Sequence, residues 1–405
     1  MGATASFSCH AKPRLYGVAG DEYSKTRLGP DRPYNDGLVE MQIKVFGAGS
    51  IGNHLSNAAR RMGWSPDIYD VDPQALERTK TQIYPMRYGA WDASVGLYQV
   101  GEEPAGKQYD MVFVGTPPDS HIKLAREAVR SKPKAILVEK PFCTPDLTGA
   151  QELVEEAMAA GTAVFVGYDH VVGRAARKAA ELLASGMIGK IETLDVEFRE
   201  YWGGIFAAHP WLDGPADTYL GYWKRGGGAC GEHSHALNLW QYFAHAAGLG
   251  RINKVQATLT YVRDGKLDYD DLCLLNVTTE KSMVGRIVQD VVTEPPRKWA
   301  RVQGRDGFIE WHCNYEPGVD VVRYRGPGKE TGELRFAKTR PDDFVQEMLH
   351  IQDALANGKA DQSPLSITRG LESMMVVAAA HRSAETGVPV LIDYNKGFVL
   401  AALSC

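Results

Sequence analysis

The chain has 405 residues, of which 44% are hydrophobic and 23% are charged, a composition typical of a globular protein with room for two domains. Its formal net charge of −5 argues against a nucleic-acid partner, because nucleic-acid phosphates require a basic protein face. No run approaches the about 18 apolar residues that cross a bilayer, so we expect no membrane partner.

The first 40 residues form a segment of their own. They show no hydrophobic periodicity and are rich in Gly, Pro and Tyr, which predicts an extension that wraps on the surface or is partly disordered. From Met41 to residue 167, short apolar runs alternate with helical patterns, and this alternation predicts a parallel, doubly wound Rossmann sheet. The predicted strands are 43–46, 68–69, 111–114, 135–138 and 163–166, and the predicted helices are about 50–62, 73–82, 119–131 and 146–160.

A glycine-rich segment, Gly47-Ala48-Gly49-Ser50-Ile51-Gly52, separates the first strand from the first helix. Gly47 allows a tight turn, Gly49 lets a pyrophosphate approach the backbone, and Gly52 lets the helix pack close to the sheet. The helix N-terminus then offers free N–H groups and a partial positive charge to the phosphates. The segment therefore predicts a dinucleotide site rather than a purely structural glycine turn.

Asp70 indicates which dinucleotide binds. It stands 23 positions after Gly47, at the end of the second predicted strand. Its carboxylate is suited to accept hydrogen bonds from both hydroxyls of an adenosine ribose, and it repels a 2′-phosphate. Because Val71 beside it offers no positive partner, the sequence favours NAD(H) over NADP(H).

Two later strands end in residues that merit attention, since ligands bind beyond the carboxyl ends of parallel strands. The segment from Thr116 to His121 predicts a wall beside the nicotinamide half of the cofactor, or else a plain strand-to-helix turn. Lys140 leaves the fifth strand at the expected crevice, where its amine is able to polarise a substrate hydroxyl; the alternative is a solvated surface lysine. The predicted cofactor contacts are Gly47, Gly49, Ser50, Ile51, Gly52, Asp70, Thr116, Pro117, Pro118, His121, Glu139 and Lys140.

After residue 167 the pattern changes. A helix at about 173–186 and a strand at 191–201 precede a helix that begins near residue 233. Several β-rich runs without long intervening helices then predict an α+β domain over 168–405, with a large, mostly antiparallel open sheet. The predicted strands are 253–263, 271–279, 283–293, 298–304 and 307–313, with hairpin turns at Asp264-Gly265 and Asp306-Gly307, and the closing helices are about 342–357 and 366–386.

The second domain also carries a glycine-rich segment, Gly226 to His235. Its glycines have no Cβ, so the backbone of this segment is able to come very close to a neighbouring group. Glu232 and His235 are three positions apart, which predicts that they share one face of a helix's first turn. A His–carboxylate pair of this kind is suited to proton transfer near neutral pH. A zinc site from His233, His235 and Glu232 is conceivable, but no further ligand stands at metal-site spacing, so we predict no metal.

An aromatic stretch lies between these motifs, over about 202–224. Aromatic faces with nearby hydrogen-bonding groups suit sugar rings, and the equal alternative is a well-packed loop or a subunit contact. The predicted substrate contacts are Tyr168, His170, Trp202, His209, Trp211, Tyr222, Glu232 and Asn238.

The six cysteines are widely spread, with no CxxC pair, which favours buried or incidental thiols in a reducing compartment. No apolar leader segment stands near the N-terminus. We therefore expect a cytoplasmic location.

In combination, these motifs resemble the glucose–fructose oxidoreductase/inositol dehydrogenase (Gfo/Idh/MocA) family over residues 41–395. The resemblance rests on the segments 47–52, 116–121, 139–141, 185–190 and 226–235. It implies an N-terminal Rossmann domain, a C-terminal α/β domain on an open sheet, and a homodimer or homotetramer formed through that sheet. It also implies that Lys140 sits at the active site and that His235 is the proton donor or acceptor.

One departure matters. Many members have Asp four residues before the histidine, where this chain has Gly231, with Glu232 one step later. The chain is therefore similar to a Gly-Glu-x-x-His subgroup, in which Glu232 takes the substrate-orienting role.

These observations predict an oxidoreductase that transfers a hydride between NAD and a secondary alcohol or ketone of a sugar, polyol or sugar derivative. The predicted catalytic residues are Lys140, His235 and Glu232. Two alternatives stay open. One is a redox-neutral glycoside-cleaving enzyme that recycles its NAD, and the other is a non-catalytic sensor of NAD or sugar.

Overall fold

The computed structural model describes residues 40–207 and 209–405. The predicted N-terminal extension, apart from residue 40, lies outside the described residues. Among the helices of these two segments, none combines the length and the apolar composition that crossing a bilayer requires.

The first sheet has six parallel strands in the order β3-β2-β1-β4-β5-β6, which confirms the predicted Rossmann-type half of the fold. Its strands are β1 (Gln42–Phe46), β2 (Ser65–Asp70), β3 (Gly96–Gln99), β4 (Met111–Val114), β5 (Ala135–Val138) and β6 (Ala163–Val166). Its helices are α1 (Ser50–Arg61), α2 (Pro73–Arg78), α3 (Tyr84–Tyr88), α4 (Pro118–Val129) and α5 (Ala150–Ala160), with a π-helical turn, Thr79–Ile83, between α2 and α3.

The second sheet has ten strands in the order β14-β13-β12-β11-β7-β10-β9-β8-β15-β16. Only β7 and β10 pair in parallel, so the predicted mostly antiparallel sheet is confirmed. Its strands are β7 (Ile191–Arg199), β8 (Ile252–Asp264), β9 (Leu267–Thr279), β10 (Val284–Asp290), β11 (Arg297–Gly304), β12 (Phe308–Glu316), β13 (Val319–Arg325), β14 (Gly332–Ala337), β15 (Val390–Ile392) and β16 (Leu403–Ser404). The accompanying helices are α6 (Arg174–Ala184), α7 (Trp202–Ala207), α8 (Gly228–Glu232), α9 (His235–Ala246), α10 (Arg340–Ala356) and α11 (Ile367–Thr386).

Both predicted hairpins are present. Gly265, at φ +58, turns the chain between β8 and β9, and the amide of Gly304 donates to the carbonyl of Gly307 between β11 and β12. The sequence did not predict β3, an edge strand of four half-buried residues with no alternation, nor β13 to β16. Of these, β3, β14 and β16 are short strands at the edges of their sheets, and short strands leave a weak periodic signal.

Within residues 40–207 and 209–405, helices cover one face of the second sheet. Helices α6, α9 and α11 pack against it, and buried residues alternate with less buried ones along β7 and β10. The opposite face carries polar side chains and a few exposed apolar ones, among them Leu274, Val284 and Leu391.

Helix α10 returns to the first domain, where it packs against α1, and Arg61 bonds Asp342 at 3.2 Å. The amide of Val166 in β6 donates to the carbonyl of Leu365 just before α11. The proposed domain limits at residues 167 and 168 stay a prediction. Four cysteines are buried free thiols and Cys405 is exposed, while Cys9 lies outside the described residues.

Candidate active site

The glycine loop between β1 and α1 has two glycines that the chain itself requires. Gly47 has φ +101, and a Cβ there would lie 2.8 Å from the carbonyl oxygen of Gly115. A Cβ on Gly52 would lie 1.8 Å from the carbonyl oxygen of Gly47. Gly49 is different, because a Cβ there would meet no atom within 4 Å. The bare backbone at Gly49 therefore leaves an open approach to the N-terminus of α1, where no side chain of the described residues caps the helix.

This difference gives a prediction. Gly52→Ala should destabilise the fold by about 1–3 kcal/mol or more, because the added methyl group overlaps backbone. Gly49→Ala should melt like the parent protein yet bind NADH about tenfold more weakly, a loss of roughly 1.4 kcal/mol. Thermal melts and NADH fluorescence titrations of the two variants check this. Equal NADH affinity of Gly49→Ala and the parent would contradict a pyrophosphate site there.

Asp70 is fixed beside the glycine loop. Its Oδ2 accepts the amide of Ala48 at 2.7 Å, and its Oδ1 accepts the amide of Asp72 at 2.9 Å. Each carboxylate oxygen keeps a further lone pair for a ribose hydroxyl. Val71 beside it is exposed and apolar.

Three side chains that the sequence did not single out support this loop. Asn53 Nδ2 and Thr79 Oγ1 donate to the carbonyls of Gly49 and Ala48, at 2.8 and 2.7 Å. Arg87 Nη1 donates to Ser50 Oγ at 2.9 Å, which adds a cation at the N-terminus of α1. No motif marks Arg87, since it stands 37 positions away in an unremarkable helix.

The loops that follow β4 and β5 are held together by His121. One ring nitrogen lies 2.6 Å from the carbonyl oxygen of Thr116 and the other lies 3.1 Å from that of Pro141. The His121 ring is completely buried, and both of its nitrogens are directed at carbonyl oxygens of these two loops. Pro117 precedes α4 and Pro118 begins it. The Lys140–Pro141 peptide bond is cis.

Glycines of the second domain bring its glycine-rich segment, Gly226 to His235, against these loops. A Cβ on Gly226 would lie 2.9 Å from Pro118 and 3.2 Å from Pro141, and Gly226 has φ +93. A Cβ on Gly231 would lie 2.2 Å from the carbonyl oxygen of Gly226. The glycine cluster therefore lets the two domains touch where the parallel strands end.

Lys140 and Glu232 meet at this contact. Nζ of Lys140 lies 2.8 Å from Oε1 of Glu232 and 3.0 Å from its carbonyl oxygen, and Tyr219 donates to Oε2 at 3.0 Å. Burial raises the pKa of Glu232, but the Lys140 ammonium and the other partners outweigh it, so the net shift is downward. The group is thus a buried, charge-paired carboxylate. Tyr219, which the sequence placed only in the aromatic stretch, is its second partner.

The predicted single helix with Glu232 and His235 on one face is wrong. Glu232 ends α8, His235 begins α9, and His233 and Ser234 lie between them. His235 instead faces Asp169, whose Oδ1 lies 3.8 Å from its Nδ1. The His–carboxylate neighbours are therefore His235 and Asp169. No sequence motif marks Asp169, which follows β6, far from His235 in the chain.

Burial, together with His170 beside it, holds the pKa of His235 well below its usual value, so its imidazole is neutral at pH 7. Burial opposes ionisation of Asp169, but His170, Arg340 and His235 hold its pKa well below the usual range. The charge of Lys140 also contributes to the low pKa of His235. Burial and then Asp169 raise the pKa of Glu139 to about 7.

Two of the predicted substrate residues flank His235. The ring centroids of Tyr168 and His170 lie 5.5 and 4.7 Å from that of His235, and both residues are buried. Asn238 is buried on α9, with its amide near Ser373 Oγ at 3.4 Å.

The predicted aromatic residues divide into two groups. Trp202 packs on Tyr269 within the second domain, and Tyr222 donates to the carbonyl of Ala216. Trp211 instead reaches the first domain, where the guanidinium of Arg78 lies 5.9 Å from its ring, and His209 packs edge-on against Trp211. The aromatic stretch thus bridges both domains beside the glycine loop, and Arg225 bonds Asp119 at 2.7 Å at its end.

Two family models match the chain. The oxidoreductase family NAD-binding Rossmann fold, GFO_IDH_MocA, matches residues 41–168. The GFO/IDH/MocA C-terminal domain matches residues 176–310.

Known proteins agree with these matches. An uncharacterized oxidoreductase of Bacillus subtilis (strain 168), YrbE, is 21% identical over 369 residues, which is 87% of this chain and 96% of YrbE. Levoglucosan dehydrogenase in complex with NADH and levoglucosan superposes with a TM-score of 0.71 at 15% identity, over 87% of this chain and 98% of its own. The WlbA dehydrogenase from Bordetella pertussis, in complex with NADH and UDP-GlcNAcA, superposes with a TM-score of 0.64 at 19% identity. The superposition covers 87% of this chain and 99% of the WlbA chain. At these identities the solved structures establish a shared fold.

Proposed function

The chain belongs to the GFO/IDH/MocA family of NAD-binding oxidoreductases, and from this premise we propose that it is an NAD(H)-dependent dehydrogenase of a sugar, polyol or sugar derivative. One observation carries the proposal: predicted catalytic residues of different domains meet, with Lys140 Nζ 2.8 Å from Glu232 Oε1. They meet beyond the carboxyl ends of the parallel strands, where such sheets bind their ligands.

The residues around the glycine loop suit the cofactor. Gly47 to Gly52 would hold its pyrophosphate at the N-terminus of α1, and Asp70 would hold the adenosine ribose. Arg87, bonded to Ser50, would add positive charge beside the phosphates. When bound, NAD(H) supplies a hydride acceptor or donor.

We propose that NAD(H) is preferred over NADP(H), because Asp70 presents a carboxylate where a 2′-phosphate would lie. Asp70→Ser should therefore lower the NAD⁺ to NADP⁺ ratio of kcat/KM by about tenfold or more, since like charges at about 4 Å interact by roughly 1–4 kcal/mol. Asp72→Ser is the matched control, because Asp72 carries the same charge two positions away and caps α2 through the amide of Gln74. Equal ratios in the Asp70→Ser and Asp72→Ser variants would contradict the assignment.

The site's own residues divide the proton chemistry in the oxidative direction. Lys140 orients the substrate hydroxyl and polarises it, which lowers the pKa of that hydroxyl. The neutral imidazole of His235 accepts the hydroxyl proton, and the Asp169 carboxylate beside it stabilises the imidazolium. Glu232, held by Tyr219, positions Lys140 and accepts a hydrogen bond from a neighbouring hydroxyl.

Carbohydrate as the substrate class is supported by the aromatic stretch and by two relatives of the same fold, whose complexes contain levoglucosan and UDP-GlcNAcA. Aromatic faces such as those of Trp211 and Tyr222 suit sugar rings. We keep the predicted residues Tyr168, His170, Trp202, His209, Trp211, Tyr222 and Asn238 as the proposed substrate set.

A screen of sugars, polyols and sugar nucleotides with NAD⁺, read by the absorbance of the reduced cofactor, tests the proposal. Net NADH formation with one substrate class supports it. Cleavage of a glycoside without net NADH would instead indicate the redox-neutral reaction, and NAD binding without turnover of any compound would indicate a sensor.

We also propose a homodimer or homotetramer formed through the uncovered face of the second sheet, in the cytoplasm. Leu274, Val284 and Leu391 are exposed on that face among polar side chains. Among the described residues no helix covers this face, which leaves it available for contact with a second copy of the chain.

A further inference from the structure

Three side chains beside the Lys140–Glu232 pair form a compact group of metal-ligand type. Asp169, His170 and His235 each offer one ligand atom, and these atoms all lie within 4.8 Å of one another. Asp169 and His170 stand in the turn after β6, and His235 begins α9, so the sheet edge and a helix start bring them together.

Two of the ligand atoms have no hydrogen-bond partner among the described residues, although both are buried. They are Oδ1 of Asp169 and Nδ1 of His235, which lie 3.8 Å apart. That separation is too long for a hydrogen bond. The other oxygen of Asp169 accepts from Arg340 at 2.8 Å, so the carboxylate is fixed with its free oxygen toward the imidazole. Buried polar atoms in proteins normally have a partner, and this pair lacks one.

We propose that Asp169, His170 and His235 bind one divalent transition-metal ion of the zinc class. Two imidazoles and a carboxylate form the donor set of zinc sites with three protein ligands and of 2-His-1-carboxylate iron sites. In a tetrahedral site with metal–ligand distances of about 2.0–2.2 Å, two ligand atoms on one ion lie about 3.3–3.6 Å apart. The 3.8 Å pair is close to this separation, and the widest pair, within 4.8 Å, reaches it when side-chain rotation brings its two atoms closer by at most about 1.5 Å.

The charges around the triad leave room for a cation. Arg340 bonds both Asp169 and Asp343, and Lys338 pairs with Asp343 and Asp320. These two cations face three carboxylates, so the group keeps one net negative charge. The neighbouring ion pairs Lys140–Glu232 and Lys298–Glu200 are each neutral.

The metal site does not rest on the proposed dehydrogenase function, because binding is read without any substrate. The two are linked through His235. An imidazole that ligates a metal through Nδ1 carries its remaining proton on Nε2, so it no longer accepts a proton from a hydroxyl. Zinc is therefore expected to lower turnover when His235 is the proton acceptor.

Titration of Co²⁺ into the chelator-treated full chain tests the proposal. Visible Co²⁺ absorption reports inner-sphere ligation, and calorimetry reports stoichiometry. We expect one Co²⁺ per chain, an absorption band typical of four- or five-coordinate Co²⁺, and displacement of that band by Zn²⁺. The band should be lost in Asp169→Asn and in His170→Asn, and it should persist in His233→Asn, the matched control at a buried histidine outside the triad.

Folding of each variant is checked by circular dichroism. Asp169→Asn removes a hydrogen-bond partner of Arg340 and is therefore the variant at greater risk of misfolding. His170→Asn removes no side-chain hydrogen bond found in residues 40–207 and 209–405. If Asp169→Asn does not fold, the result for His170→Asn decides the test. A wild-type chain with no visible Co²⁺ band and no one-to-one binding overturns the proposal. A band that persists in folded His170→Asn overturns it as well.

Discussion

Replacement of Lys140 by alanine is expected to lower kcat by about 10²–10⁴-fold while NADH binding is retained, because polarisation of a reacting hydroxyl by a positioned acid or base contributes about that much. The variant loses the predicted cofactor contact of Lys140 itself but keeps the contacts proposed at Gly47 to Gly52 and Asp70, which lie on other loops, so most of the NADH affinity should remain. Steady-state kinetics with the substrate found by the screen, together with NADH fluorescence titration, measures the two effects separately.

The matched control flanks the same strand. Lys134 precedes β5, pairs with Asp110 at 2.8 Å and stands at the opposite end of that strand from Lys140. Lys134→Ala removes the same charge and should leave kcat close to that of the parent, since a partly exposed ion pair of this kind contributes only about 0–1 kcal/mol to stability.

Folding requires a second variant. Lys140→Ala leaves the buried Glu232 carboxylate without its cation, which costs about 3–5 kcal/mol when a buried pair is broken. The double variant Lys140→Ala/Glu232→Gln removes both charges and should recover stability without recovering turnover. Parent-like kcat in a folded Lys140→Ala variant would remove Lys140 from the mechanism.

The part of the fold and site that could be predicted from sequence is the part set by local chain geometry. The glycines at 47 and 52 were predictable because a left-handed turn and a close helix approach leave no room for a side chain. The strand–helix alternation of the first domain was predictable because each element is bounded by turn residues. Lys140 could be singled out as a candidate because it stands two residues after a buried strand, although its position alone left a solvated surface lysine as an equal alternative.

The part that could not be predicted depends on contacts between distant segments. Asp169 and Arg340 are 171 positions apart, yet their bond fixes the carboxylate that faces His235. The pairing of Glu232 with Lys140 spans 92 positions. This contact is the reason for assigning Glu232 to the positioning of Lys140 and His235 to proton transfer. Helical spacing alone suggested that Glu232 and His235 cooperate directly, because it does not reveal that α8 ends before α9 begins.

The aromatic stretch shows the same limit. Its composition predicted a sugar contact or a packed loop without choosing between them. The structure has Trp202 packed within its own domain, whereas Trp211 lies against Arg78 of the other domain. Which aromatic side chain faces outward depends on the path of the loop over the first domain, and composition carries no information about that path.

Replacement of His235 by asparagine is the second change with a large expected effect. Asparagine keeps polarity and much of the volume but does not accept a proton near neutral pH, so kcat should fall by about 10²–10⁴-fold with little change in NADH affinity. His233→Asn is the control, because His233 is also buried and its pKa is lowered to about 4, chiefly by burial, yet it stands outside the proposed proton path. Assays in a chelating buffer keep any bound metal from contributing.

The double variant Lys140→Ala/His235→Asn asks whether the two groups act on one oxygen in one step. If they do, the loss in the double variant should be far smaller than the product of the single losses, because residues that act as a unit are strongly non-additive. The charge of Lys140 contributes to the low pKa of His235, so the two groups already interact electrostatically. If the loss in the double variant equals the product of the single losses, the amine and the imidazole serve separate steps. His235 would then not be the group that accepts the proton from the hydroxyl that Lys140 polarises.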